Sequence, residues 1–227
     1  DEAADLGARL YHVPLRPSHI SYIRDVTEIL KSERYDIVHN HLEAYSWIPV
    51  WIAKRQSIPI VTSYHNTKFA PQTWTRAPGI RQMRALYSFL SVNYALKYSD
   101  VVTGCSKGVL ETLRAERKRG GKGCRVLYYG IDFEGWPTID ERKPLRRKYG
   151  FPEDAKLVVH VGRFLKQKNH KGLIEIFELV HREVNGSKLI LIGDGPLRPN
   201  IEAFAKEKGL QHDVIFLGIR KDVKELL

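Results

Sequence analysis

The chain has 227 residues, 43% of them hydrophobic and 28% charged, with a formal net charge of +11. That mix excludes a disordered, collagenous or low-complexity chain, and the length suits one large or two small domains with a sizeable core. Two cysteines, Cys105 and Cys124, with no Cys/His pattern at metal spacing, argue against a disulfide scaffold or a zinc module and for a reducing, cytoplasmic setting.

In chain order, short β-branched runs alternate with helix-length amphipathic stretches. Strands are predicted over 35–41, 58–65, 100–106 and 125–130, with helices over 18–32, 43–55, 79–98 and 106–117 between them. Ser18 and Ser106 suit helix N-caps, and Pro49 should kink or restart the second helix. After a polar stretch, strands 157–164, 188–195 and 214–218 alternate with helices 170–184 and 197–208, and a further helix opens at Asp222. This alternation predicts an α/β chain of two Rossmann-like domains with parallel sheets: residues 1–134, a linker 135–154, and residues 155–227. No apolar run reaches the ~20 residues of a membrane span. The acidic start lacks a signal-peptide profile, and both ends read as cut: Asp1 is not an initiator Met, and KDVKELL stops as a helix opens.

The positive charge is shared evenly between the halves, apart from two dense runs, Arg114–Arg125 and Glu141–Gly150. Such runs attract phosphates on nucleotides, nucleic acid or anionic lipid, although solvated faces account for them equally well. The segment HVGRFLKQKNHKGL (160–173) is more specific. A strand ends at Gly162, and Arg163 and Lys168 follow in the turn before a helix, which suits a diphosphate held by a bidentate fork, a point charge and helix N–H groups. The next strand ends in Gly193-Asp194-Gly195-Pro196 and the third in Phe216-Leu217-Gly218, so three consecutive strand ends carry glycine-bearing turns. The dinucleotide pattern G-x-G-x-x-G is absent because Arg198 occupies its last position, which disfavours a dehydrogenase.

VGRFLKQKNH, LILIGDGPL and VIFLG resemble the donor half of retaining GT-B glycosyltransferases of family 4, and YDIVHNH, VTSYHNT, VVTGCS and YYGID follow the order of that family's first half. The resemblance implies two Rossmann-like domains facing across a cleft. It implies transfer of a sugar from a UDP- or GDP-sugar to a glycan or lipid-linked acceptor, with retention and without a metal or other cofactor. Arg163 and Lys168 would bind the diphosphate and stabilise the leaving group. Gly162, Gly193, Asp194 and Gly195 would line the nucleotide pocket, and Phe216 and Gly218 would sit near the base. His65 would face the donor sugar and His41 the acceptor. Ser106 and Asp132 match positions of structural role. Tyr129 stands where the family more commonly has Asn, a departure expected to leave function unchanged. The family's glycine-rich loop is expected upstream of Asp1 and its Glu-x7-Glu pair downstream of Leu227, so this stretch is expected to be inactive alone; Glu202 and Glu207 lie too close together to serve as that pair. A D-x-D metal pair is missing.

The positive charge bears on two partner classes. Arg76, Arg81 and Arg84 beside Leu86, Phe89 and Leu90 suit peripheral contact with an anionic membrane surface. A nucleic-acid partner would call for one basic face with exposed aromatics, whereas here the charge is spread, so no nucleic acid is expected.

Overall fold

The computed structural model describes residues 2–15, 19–66, 78–120 and 123–227; Ser18 and Arg76 lie outside them. The chain divides into two compact units, Asp1–Ile131 and Asp132–Leu227.

The first unit runs α1 (Glu2–Asp5), α2 (His19–Ser32), β1 (Val38–Asn40), a 3-10 turn Glu43–Tyr45, α3 (Trp47–Arg55), β2 (Ile60–Tyr64), α4 (Pro78–Tyr98), β3 (Val101–Gly104), α5 (Lys107–Leu113), α6 (Ala115–Arg119) and β4 (Cys124–Val126). The strands form a parallel sheet in the order β1-β2-β3-β4, with Val38 opposite Ile60, Val61 opposite Val101 and Val102 opposite Cys124. Four of the five β2 residues are buried, as expected of a parallel strand covered on both faces. Val50, Ala53, Ile60 and Ala95 form one core cluster, and Tyr64, Val92, Leu96, Val102 and Leu110 belong to a second.

The second unit runs from a 3-10 turn Ile139–Glu141 through α7 (Arg142–Lys148), β5 (Leu157–Val161), a 3-10 turn Lys166–Lys168, α8 (His170–Glu183), β6 (Lys188–Ile192), α9 (Arg198–Glu207), β7 (Val214–Gly218) and α10 (Val223–Leu226). Its parallel sheet has the order β5-β6-β7. Along β6 the period of two sorts the side chains cleanly. Leu189 and Leu191 join Phe164, Ile174, Phe177 and Ile201, whereas Ile190 and Ile192 join Leu226, Tyr149 and Phe151.

Several elements differ from the sequence expectation. The predicted strands 35–41 and 125–130 are three residues each, at the two ends of the strand order among the described residues. The predicted helix 43–55 is a 3-10 turn followed by α3, in which Pro49 is the third residue. There its missing N–H breaks no intrahelical bond, so the proline restarts the helix rather than kinking it. The predicted helix 106–117 breaks at Arg114, whose φ is 51°. Ser106 caps its first half, its Oγ accepting from the Val109 N–H at 3.3 Å. Residues 135–154 carry α7 and pack through Tyr149 and Phe151 against the second sheet.

Both dense basic runs hold structural cations. Arg119 donates to the carbonyls of Leu96 (2.5 Å), Ser99 (2.8 Å) and Asp100 (2.9 Å), tying α6 to the end of α4. Arg146 donates to the carbonyls of Pro152 (3.1 Å), Glu153 (2.6 Å) and Ala155 (2.8 Å). Arg147 pairs with Glu153 and Lys148 with Glu225.

Candidate functional site

Parallel strands place every strand-to-helix turn at the same end of a sheet. In the second unit this end is drawn tight. The Gly162 N–H donates to the Ile192 carbonyl (2.9 Å), the Gly193 N–H to the Gly218 carbonyl (2.7 Å) and the Phe164 N–H to the Asp194 carbonyl (3.0 Å). Two glycines are required by this approach. A β-carbon on Gly193 (φ 129°) would lie 2.3 Å from the Gly162 carbonyl oxygen, and one on Gly195 (φ 157°) 2.8 Å from the Phe164 carbonyl oxygen.

Arg163 and Lys168 lie on this edge, both exposed and without an ion pair among the described residues. Lys168 closes the turn that enters α8, where Asn169 takes a left-handed conformation (φ 46°) and the first N–H groups of the helix are left over. Unpaired cations beside such groups form an anion-binding surface. His170, the first residue of α8, is 2% exposed. It stacks on Phe164 at 4.1 Å between ring centroids and meets His160 edge-on at 5.0 Å. Neither ring nitrogen of His170 has a partner among the described residues. Burial holds the His170 imidazole below its ordinary pKa, and the neighbouring His160 and Lys168 add to this.

The remaining expected residues of this unit are also on the edge. The Asp194 carboxylate shapes its own turn, accepting from the Gly195 N–H at 2.6 Å, and faces the Arg198 guanidinium at 3.7 Å. Arg198 also bonds Glu202 (2.7 Å), and its Nη1 lies 3.4 Å from where a β-carbon on Gly218 would sit. Phe216 is half-buried and packs toward Phe164.

At the corresponding end of the first sheet, His39 of β1 and residues following β1, β2 and β4 meet in a row of rings. His39 and His41 lie 4.1 Å apart, His41 and His65 stack at 5.0 Å with 9° between planes, and His65 and Tyr129 stack at 5.7 Å with 14°. His65 Nε2 and His41 Nδ1 share a hydrogen bond of 2.8 Å, and His65 Nδ1 bonds the Tyr129 hydroxyl. His39 Nε2 instead bonds Ser63 (2.7 Å), which continues to Thr103 (2.6 Å). Burial, then His39, then His65 lower the His41 pKa. Among the described residues no group of three or more His, Cys, Asp or Glu could hold a metal ion.

Sequence reasoning missed Glu43 and Arg198. Glu43 (φ 47°) accepts from the His65 N–H (3.0 Å) and from the Asn66 amide (2.8 and 2.9 Å), fixing the loop that carries His65. An acid two residues after His41 is the only trace of this in the sequence. Arg198 entered only as the residue that spoils a glycine motif.

Two family models together match nearly all of the chain: Glycosyltransferase Family 4 over residues 4–134 and Glycosyl transferases group 1 over residues 141–227. The chain is 27% identical over 214 residues to N-acetyl-alpha-D-glucosaminyl L-malate synthase of Bacillus anthracis, covering 93% of this chain and 53% of that protein. It is 26% identical over 197 residues to alpha-monoglucosyldiacylglycerol synthase of Streptococcus pneumoniae, covering 85% and 44%. The crystal structure of Anabaena HepE (Alr3699) with UDP-glucose matches with a TM-score of 0.71 at 19% identity, covering 91% of this chain and 54% of that one. The chain thus spans about half the length of the proteins it matches. With two parallel α/β units in the order of both models, the chain belongs to glycosyltransferase family 4 and has the GT-B type of fold.

Proposed function

We propose that the protein to which this chain belongs moves a sugar from a UDP- or GDP-sugar to a glycan or lipid-linked acceptor with retention at the anomeric carbon, without a metal. The observation that carries this reading is the pair of unpaired cations, Arg163 and Lys168, beside the N-terminus of α8 and the tight Gly162–Gly193–Gly218 edge. A departing nucleoside diphosphate gains negative charge, and fixed positive groups aimed at it favour the transition state over the ground state. Arg163 supplies a fork for two phosphate oxygens and Lys168 a compact charge. Gly162, Gly193, Asp194 and Gly195 let backbone approach the nucleotide, with Phe216 and Gly218 toward the base. His65 and His41 face the sugar and its acceptor.

Calorimetric titration of the complete protein with UDP and GDP tests this. Arg163→Ala should weaken diphosphate binding by about 10–100-fold, as expected for a charge-assisted hydrogen bond. Unchanged binding overturns the reading. Salt-sensitive RNA or DNA binding that survives the substitution would favour a basic nucleic-acid module instead.

A peripheral site at the cytoplasmic membrane face belongs to the same proposal. Ile80, Met83, Leu86, Phe89 and Leu90 of α4 are exposed, Met83 by 73%, with Arg81 and Arg84 beside them. No helix among the described residues is long and apolar enough to cross a membrane. Flotation with liposomes should depend on anionic lipid; flotation independent of it, or none, removes this part of the reading.

A further inference from the structure

The ring row of the first unit contains a residue pair with no free nitrogen left on its central member. His65 uses Nε2 toward His41 Nδ1 (2.8 Å) and Nδ1 toward the Tyr129 hydroxyl. His41, which is exposed, has no hydrogen-bond partner on Nε2 among the described residues. A neutral imidazole carries one proton, and which nitrogen holds it is set by what the other nitrogen bonds. A phenol is a stronger donor than a neutral imidazole N–H, and the unprotonated ring nitrogen is the stronger acceptor. The Tyr129 O–H therefore donates to His65 Nδ1, His65 carries its proton on Nε2 and donates to His41 Nδ1, and His41 in turn carries its proton on Nε2.

We infer that Tyr129 is a positioning residue that sets the proton on His65 and, through it, on His41, so that the row presents the His41 Nε2–H as a donor to an oxygen of the bound sugar or acceptor. Glu43 supports the same arrangement from the backbone side by accepting from the His65 N–H (3.0 Å). Cys105, whose thiol donates to the His65 carbonyl at 3.4 Å, holds the other end of that residue. Neighbouring rings within 14° of parallel leave the His65 ring little freedom to rotate about its Cβ–Cγ bond, which keeps Nε2 toward His41 and Nδ1 toward Tyr129.

The inference deepens the transferase reading and rests on it only for its kinetic consequence; the proton positions themselves do not. Nitrogen-15 NMR of the histidine rings in the complete protein reads them directly. His65 and His41 should both be Nε2–H near pH 7.5. Tyr129→Phe keeps the stacked ring and removes the donor, and should lower the His65 tautomer ratio by about fivefold, the worth of one neutral hydrogen bond. It should raise the acceptor KM more than it lowers kcat and leave UDP or GDP affinity unchanged. A His65 found as the Nδ1–H form in the unsubstituted protein overturns the inference without any variant. So does a tautomer ratio unmoved by Tyr129→Phe. Failure of the transferase reading would show separately, as UDP and GDP that do not bind, and would leave the ring spectra as they are.

Discussion

Lys168 lays its aliphatic stem over Gly162, with Cγ and Cδ each 3.5 Å from where a β-carbon on that glycine would stand. The bare backbone of Gly162 thus serves as a bed for the lysine stem, and the ammonium is carried to the exposed edge beside the start of α8. Lys168→Met keeps the stem and deletes the charge. We expect binding of UDP or GDP to weaken by about tenfold or more with the thermal midpoint unchanged, measured by calorimetry and thermal unfolding. A shift of the midpoint with unchanged affinity would assign Lys168 to stability instead.

Gly193 makes the opposite kind of contribution. Its φ of 129° and the Gly162 carbonyl, 2.3 Å from the position of a β-carbon, leave no room for a side chain. Gly193→Ala should cost about 2–3 kcal/mol of stability, because backbone would have to move in the turns after β5 and β6 at once. Chemical denaturation would show it as a lower midpoint at constant slope.

The pH dependence follows from His170. Its folded pKa is lowered by burial, so the unfolded chain binds a proton that the folded one resists. Above about pH 6.5 both forms are neutral and nothing is lost. As pH falls from there through the folded pKa, stability declines by up to about 1.4 kcal/mol per pH unit for that one proton. His160, also lowered by burial, adds to the same limb. The carboxylates Glu178 and Glu153 are held below their ordinary values by Lys208 and Arg147 and enter only at lower pH. His170→Phe preserves the stack on Phe164 and should flatten the decline below about pH 6.5. A limb of the same steepness in the variant would place its origin elsewhere.

The elements that were legible in the chain are those whose pattern repeats locally. β2, β6 and α8 follow from apolar runs and a three-to-four spacing, since burial on both strand faces or one helix face leaves a mark on neighbouring residues. The placement of Arg163 and Lys168 in a strand-to-helix turn was legible because a strand, a glycine and a helix start bracket them within one short segment. The helix break at Arg114 left no such mark: a left-handed arginine looks in sequence like any exposed helical residue, whereas a glycine there would have announced the turn. The basic runs were equally opaque, because the carbonyls that Arg119 and Arg146 satisfy belong to backbone, which has no sequence signature. The ring row is legible least of all. His41, His65 and Tyr129 are separated by 24 and 64 positions, and only the parallel pairing of the strands brings them into contact.

Strand order in both sheets follows chain order without exception: β1-β2-β3-β4 and β5-β6-β7. Among the described residues each strand after the first in its sheet therefore pairs with the one made just before it. The loops closed at each step are a single crossover long, which keeps the entropy lost per step small and favours rapid folding. Over this stretch the strands can therefore be added to each sheet in the order in which they are translated.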